Sequence, residues 1–315
     1  MPSVSSFLPA ALVLLLFVLP LPPASAATSE PAPLATSSLL LDMDHAGAAI
    51  IAVGERGHVL RSDNHGESWR QILVPTRATL TAVLFIDAEH GWAVGHDQTI
   101  LQTTDGGNSW RLVYQDLDES PPLLDLYFFN RDKGYAIGAY GTFLETRNGG
   151  ETWEQRYISE DDFHLNQIRR VGNALFIAGE AGMVYRSTDD GATFTELIPG
   201  YAGSFFGLLP LDRDSLLLFG LRGHLFRSDD SGETWRDISV DSIAGLLSGL
   251  RLADGTLIVA GLAGTLLVSR DDGQTFVLVE EADRRGFSRL LQTRTGRVLA
   301  VGDFGVDLLP SDLFN

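Results

Sequence analysis

One eight-residue signature, Ser/Thr-x-Asp/Asn-x-Gly-x-Ser/Thr-aromatic, occurs six times in this chain, at 62–69, 103–110, 146–153, 187–194, 228–235 and 269–276. The copies end on Trp69, Trp110, Trp153, Phe194, Trp235 and Phe276. A motif returning at an interval of 20 to 50 residues implies stacked copies of one supersecondary unit, each burying its apolar face against the next. That constraint comes before any reading of single residues.

The signature has the chemistry of a hairpin turn. Asn64, Asp105, Asn148, Asp189, Asp230 and Asp271 carry a short side-chain oxygen that can accept backbone N–H groups two or so residues on. Two positions later Gly66, Gly107, Gly150, Gly191, Gly232 and Gly273 supply the positive φ that a tight turn needs. The aromatic leads the outgoing strand, where burial is worth roughly 1.5–3 kcal/mol.

A second frame precedes each box: AVGERG from Ala52, AVGHDQ from Ala93, AIGAYG from Ala136, IAGEAG from Ile177, LFGLRG from Leu218 and VAGLAG from Val259. A seventh copy, AVGDFG from Ala300, has no box after it. Between each aromatic and the next frame lies a further apolar run, such as LTAVLFID from Leu80 or LLDLYFFN from Leu123. Four short runs per unit, separated by turn signals, make the four-stranded blade of a β-propeller, and seven units make seven blades. The strands are lettered a to d from the inside outward. The seventh unit stops in VDLLPSDLFN without an outer strand. The expected closure is therefore that Glu30–Thr36 supplies strand d of the last blade, Pro31 and Pro33 being tolerable on an outermost edge.

The first residues have a different composition. The apolar run FLPAALVLLLFVLP from Phe7, followed by Ala24-Ser25-Ala26, has the form of a secretory signal peptide over 1–26, with the propeller domain over 27–315. No Lys or Arg precedes Phe7, which keeps an uncleaved anchor as the second reading. The formal charge of −18 thus belongs to the domain and argues against nucleic acid and anionic membrane surfaces as partners. With no cysteine there is no disulfide framework, no thiolate metal site and no lipidated cysteine. The expected place is an exported compartment, a periplasm or one like the thylakoid lumen, and the expected state a monomer without cofactor.

The repeats resemble known ones. Ser-x-Asp-x-Gly-x-Thr-Trp resembles the Asp-box of the bacterial neuraminidase repeat, shared by sialidases, xyloglucanases and sortilin-type receptors. The fuller unit, with GWAVG at Gly91 and GYAIG at Gly134, is similar to the photosystem II stability/assembly factor family. That resemblance covers essentially the whole chain after the leader. It implies an exported, non-enzymatic seven-bladed propeller that docks onto a protein partner, a subunit of a membrane or envelope complex. It also implies an arginine-rich face; the arginines near blade junctions are Arg77, Arg169, Arg170, Arg284 and Arg285.

In such a ring the b–c turns crowd one face with the d-to-a connections. These turns vary inside a constant frame, the pattern of loop-borne recognition. The candidate partner-binding residues are Glu55, Arg56, His96, Asp97, Tyr140, Glu180, Arg222, Asp303 and Phe304, with Arg56, Tyr140, Arg222 and Phe304 as anchors. The rival reading is a carbohydrate-active propeller, a glycosidase or glycan binder, using two carboxylates among Glu160, Asp161, Asp162, Glu180 and Asp303. No sialidase-like arginine triad accompanies them. The boxes lack the oxygen spacing of a calcium loop, and the seven histidines are not paired at ligand spacing, so no metal is expected.

Overall fold

A computed structural model describes residues 27–118, 121–281 and 283–314. The predicted signal peptide and its cleavage site lie outside these residues. Among the described residues seven antiparallel sheets stand around a central axis, six of four strands and one of three. Blade one runs through Leu40–Ala46, Ala49–Gly54, Val59–Ser62 and Arg70–Ile72 in simple meander order. The last blade contains Phe287–Gln292, Val298–Gly302 and Gly305–Leu309.

Strand b is buried along its whole length in all seven blades, because it is sandwiched on both faces by neighbouring blades. This is why the sequence shows continuous apolar runs there instead of alternation. The hydrophobic core is correspondingly divided into seven clusters, one at each junction between adjacent blades, including the junction of blade seven with blade one.

The glycine that ends each strand b has a steric cause. A Cβ on Gly54, Gly95, Gly138, Gly179, Gly220, Gly261 or Gly302 would meet the carbonyl oxygen just before strand a at 1.9 to 3.1 Å. At six of them the distance is 2.3 Å or less and only glycine fits, while at Gly179 the neighbour would have to give by a few tenths of an ångström.

The expected closing strand is not formed. Ala35–Ser37 is a single 3-10 turn packed beside Gly305–Leu309, and the last sheet keeps three strands. Residues ahead of it leave blade seven altogether: the Ser29 N–H donates to the Val74 carbonyl, and the Gln71 amide brackets Ala32 and Glu30, all on blade one. Two prolines and the short reach from Glu30 to Thr36 favour that turn over a strand. At the other end Ser311–Phe314 forms a turn that sends Phe314 between blades six and seven, among Leu252, Val268 and Leu309. Phe314 thereby fills the junction that a box aromatic fills elsewhere.

Closure rests instead on the inner strands. Strand a shifts register near its start in every blade, at Leu41 and its six equivalents. Such bulges re-aim side chains, here toward the channel. Asp42 accepts the Val83 N–H, Asp125 that of Ile168, Gln167 that of Leu208 and Ser248 that of Leu290, each bond crossing to the next blade. Arg289 of blade seven pairs with Asp42 of blade one at 3.1 Å, and His45 Nε2 lies 3.0 Å from the Gln292 carbonyl. Burial raises the Asp42 carboxyl to about 6 against the opposing pull of Arg289.

Candidate partner-binding face

The six boxes form one construction. The leading Ser or Thr hydroxyl accepts the glycine N–H four residues on at 2.8–2.9 Å and donates to the Asp or Asn oxygen. That oxygen accepts the N–H four residues on at 2.8–3.0 Å, a wider span than the two residues expected. The hydrogen bonds from Thr193 and Ser187 hold the Asp189 carboxyl down at about 2. The glycine φ values are positive as expected, and so are those of the residues before them, His65, Asp190, Ser231 and Asp272 among them. The Asp or Asn at the third position of each box is thus engaged with its own turn. Among the described residues no cluster of His, Asp or Glu has the form of a metal site.

The b–c turns lie at the opposite end of the strands. In each blade the first turn residue donates its N–H to the carbonyl just before strand a, from Glu55→Leu39 to Asp303→Gly286. The glycine of the turn then abuts a d-to-a connection, as Gly57 does Thr76 and Gly223 does Ser242. All seven turns and connections therefore share one face. The second turn residue is left-handed in six blades, at Arg56, Asp97, Tyr140, Ala181, Arg222 and Ala263, which throws its side chain outward.

The candidate residues are distributed around this face, one or two to a blade, rather than gathered in one pocket. Arg56, His96, Tyr140, Arg222 and Asp303 are exposed, and Glu55, Asp97 and Glu180 half-buried. Tyr140 is brought edge-on to His164, which pairs with Glu180 at 2.9 Å. Phe304 is half-buried, edge-on to Phe287 and beneath the Arg285 guanidinium at 4.5 Å. Glu160, Asp161 and Asp162 are exposed on the connection into blade four. Four of the five junction arginines are engaged, Arg169 with Asp125, Arg170 with Asp190, Arg77 with Glu30, and Arg285 with Glu281 and Asp307, while Arg284 lines a surface cleft.

What the sequence reading missed is the apolar content of this face. Ten large hydrophobic side chains are exposed among the described residues, and eight of them sit here: Leu73, Leu117, Tyr140, Tyr157, Ile198, Leu221, Ile243 and Leu262. Ile243 is 89% exposed and Tyr157 and Ile198 79%. Five of the eight come from d-to-a connections, which carry no shared motif. Ile243 rims a surface cleft of about 430 Å³ with Val240, Ala244, Ala263 and Arg284. Exposed apolar residues gathered on one side of a protein mark an interaction surface.

Comparison with known proteins agrees with this architecture. The chain is 41% identical over 138 residues to a photosystem II assembly lipoprotein Ycf48 of Picosynechococcus sp., covering 43% of this chain and 41% of that protein. It is 44% identical over 52 residues to the photosystem II assembly protein Ycf48 of Thermosynechococcus vestitus, covering 16% of this chain and 15% of the relative. The aligned stretches thus span less than half the length of these relatives. A solved structure described as YCF48 bound to D1 peptide superposes with a TM-score of 0.71 at 20% identity, covering 86% of this chain and 92% of that one. The model of the Photosynthesis system II assembly factor YCF48 family matches residues 61–121 and 112–260, and the chain belongs to that family.

Proposed function

We propose that this protein is a rigid, non-enzymatic docking ring that holds an exposed segment of a membrane- or envelope-complex subunit during assembly. The observation that carries this reading is the concentration of exposed apolar side chains on the b–c face. Tyr140, Tyr157, Ile198, Leu221, Ile243 and Leu262 serve as anchors, while Arg56, Arg222, His96, Asp97 and Asp303 form a polar rim. A relative solved with a bound peptide supports a peptide-like ligand for this chain as well. The anchors are held on left-handed turns and short connections of a closed ring, so little ordering entropy is lost on binding.

The protein is exported, its leader 1–26 removed before Ala27. Some relatives are named lipoproteins, whereas this chain has no cysteine to carry a lipid. Among the described residues no helix is long and apolar enough to cross a membrane.

The test is crosslinking mass spectrometry in the native envelope with wild type and with Tyr140→Ser/Ile198→Ser/Ile243→Ser. The triple variant should keep its melting temperature within a few degrees, because all three side chains are exposed, and lose crosslinks from the b–c face. Retention of the same crosslinks would move the site elsewhere. Mass analysis of the mature N-terminus checks the leader.

A further inference from the structure

Among the described residues no strand fills the outer position of blade seven, on the rim of the ring. A cleft of about 650 Å³ lies where strand d stands in the other six blades. Its walls are Val306, Asp307 and Leu308 of the last strand on one side and Glu67, Ser68 and Trp69 of the first box on the other. Thr36 and Ser37 close its upper end as a d-to-a connection would. Among the described residues the edge of Gly305–Leu309 has no strand beside it, and the Leu308 N–H is turned back onto the Asp307 carboxylate at 2.8 Å. That is a backbone donor satisfied locally in place of a ladder partner.

The six complete blades show what fits there. Strand d opens with Arg in three of them, Arg70-Gln71-Ile72, Arg111-Leu112-Val113 and Arg236-Asp237-Ile238, with an apolar third residue packed inward. In two of these three the arginine reaches the next blade at the box residue between the glycine and the Ser/Thr, whereas Arg111 stays on its own blade and donates to Gln102. Arg70 donates to Asn108, Arg236 to Gln274, and Arg156, the last residue of its strand d, to the Ala192 carbonyl. In blade one the same box position is Glu67, and blade seven sends it no strand-d arginine. Glu67 lies 3.7 Å from Arg297 of the last blade's a–b turn, with both side chains more than half exposed, a loose pair of little energetic weight. The cleft therefore presents a free sheet edge, an apolar floor of Val306, Leu308 and Trp69, and a carboxylate where the incoming strand begins.

We infer that this edge accepts an extended segment of another polypeptide, of the form Arg/Lys-x-apolar, which adds as the fourth strand of blade seven. Main-chain bonds to the edge supply affinity, and Glu67 and the apolar floor supply register and selectivity. The site lies on the rim and uses none of the b–c anchors except Phe304, so it stands or falls independently of the docking face.

The probe is the peptide Trp-Arg-Asp-Ile-Ser-Val, this chain's own 235–240, titrated into the protein purified after export of the full chain. Binding is read by anisotropy of a labelled peptide and located by hydrogen exchange of the Leu308 amide. The expected result is saturable binding that protects Leu308 and is abolished by proline at the aspartate of the peptide. Glu67→Arg, an exposed substitution that leaves the fold intact, should weaken the arginine peptide about two- to fivefold. It should strengthen a peptide carrying Glu at that place. Four results would each overturn the assignment: no saturable binding, protection confined to other segments, binding indifferent to the proline, or equal affinities for Glu67→Arg and wild type. Slow exchange at Leu308 before any peptide is added would mean that a second copy or the leader already fills the edge, and would overturn it too.

Discussion

The box around Asp271 offers a graded test of what the repeated acidic residue is for. Ser269 is buried, and its hydroxyl is the acceptor for the buried Gly273 N–H at 2.9 Å. Ser269→Ala leaves that donor without a partner, at a cost of about 1–3 kcal/mol. Asp271 is exposed; its oxygens accept the Gln274 and Thr275 N–H groups and the Thr275 hydroxyl, and these bonds hold the carboxyl well below the usual range. Asp271→Ala releases those donors to water and should cost only about 0.5–1.5 kcal/mol. Asp271→Asn should cost least, because the chain already uses the amide twice. Asn64 Oδ1 accepts the Ser68 N–H at 2.9 Å while its Nδ2 donates to the Ser68 hydroxyl, and Asn148 repeats this with Thr152. Urea-unfolding midpoints at pH 7, with hydrogen exchange at Gly273, should therefore rank Ser269→Ala as most damaging, then Asp271→Ala, then Asp271→Asn. If the asparagine variant were as damaged as the alanine one, or if calcium raised the wild-type midpoint and not that of Asp271→Asn, the negative charge would serve a ligand and the turn-lock account would be refuted.

The channel gives the opposite pH sign to the boxes. Because burial raises the folded Asp42 carboxyl from 3.8 to about 6, its contribution is full below pH 4 and is lost as pH rises through 6, by roughly 3 kcal/mol. Asp42→Asn should therefore compare worst with wild type at pH 4 and best at pH 7.5, and a gap that widens with pH would contradict the assigned burial. Box carboxylates such as Asp189, held low by hydrogen bonds, stabilise at neutral pH and lose that stabilisation only below about pH 4. Phe314→Ala should cost about 3 kcal/mol, the low end for a buried phenylalanine because a chain end can relax, as read by denaturant midpoint. If Phe314→Ala left the midpoint unchanged, the C-terminal turn would not be the plug of the junction between blades six and seven.

Blade number and strand content were legible because the glycine of each frame and the Ser/Thr, Asp/Asn and glycine of each box answer to backbone geometry, which repeats when the fold repeats. Gly54 and its six equivalents recur because a Cβ would strike the neighbouring backbone, and Ser62 and its five equivalents because a glycine N–H needs an acceptor inside the turn. The proposed docking face was legible only in part. Tyr140 and Arg222 stood out because they vary inside a fixed frame. Tyr157, Ile198 and Ile243 stood in connections with no frame, where only the folded ring shows that an apolar residue is left in solvent.

The closure was misread for a related reason. A missing strand in the last repeat suggested an in-chain replacement, since a propeller whose ends do not interlock needs another way to hold them together. The structure supplies that hold elsewhere: in the Arg289–Asp42 pair, the His45–Gln292 contact and a junction cluster of Leu40, Met43, Ile50, Leu291 and Leu299 that matches the other six in kind. Once the inner and middle strands carry closure, the outer position of blade seven is released from structural duty. An edge that contributes nothing to the ring's integrity can be occupied and vacated without unfolding it, which is the physical condition for using it as a reversible binding site.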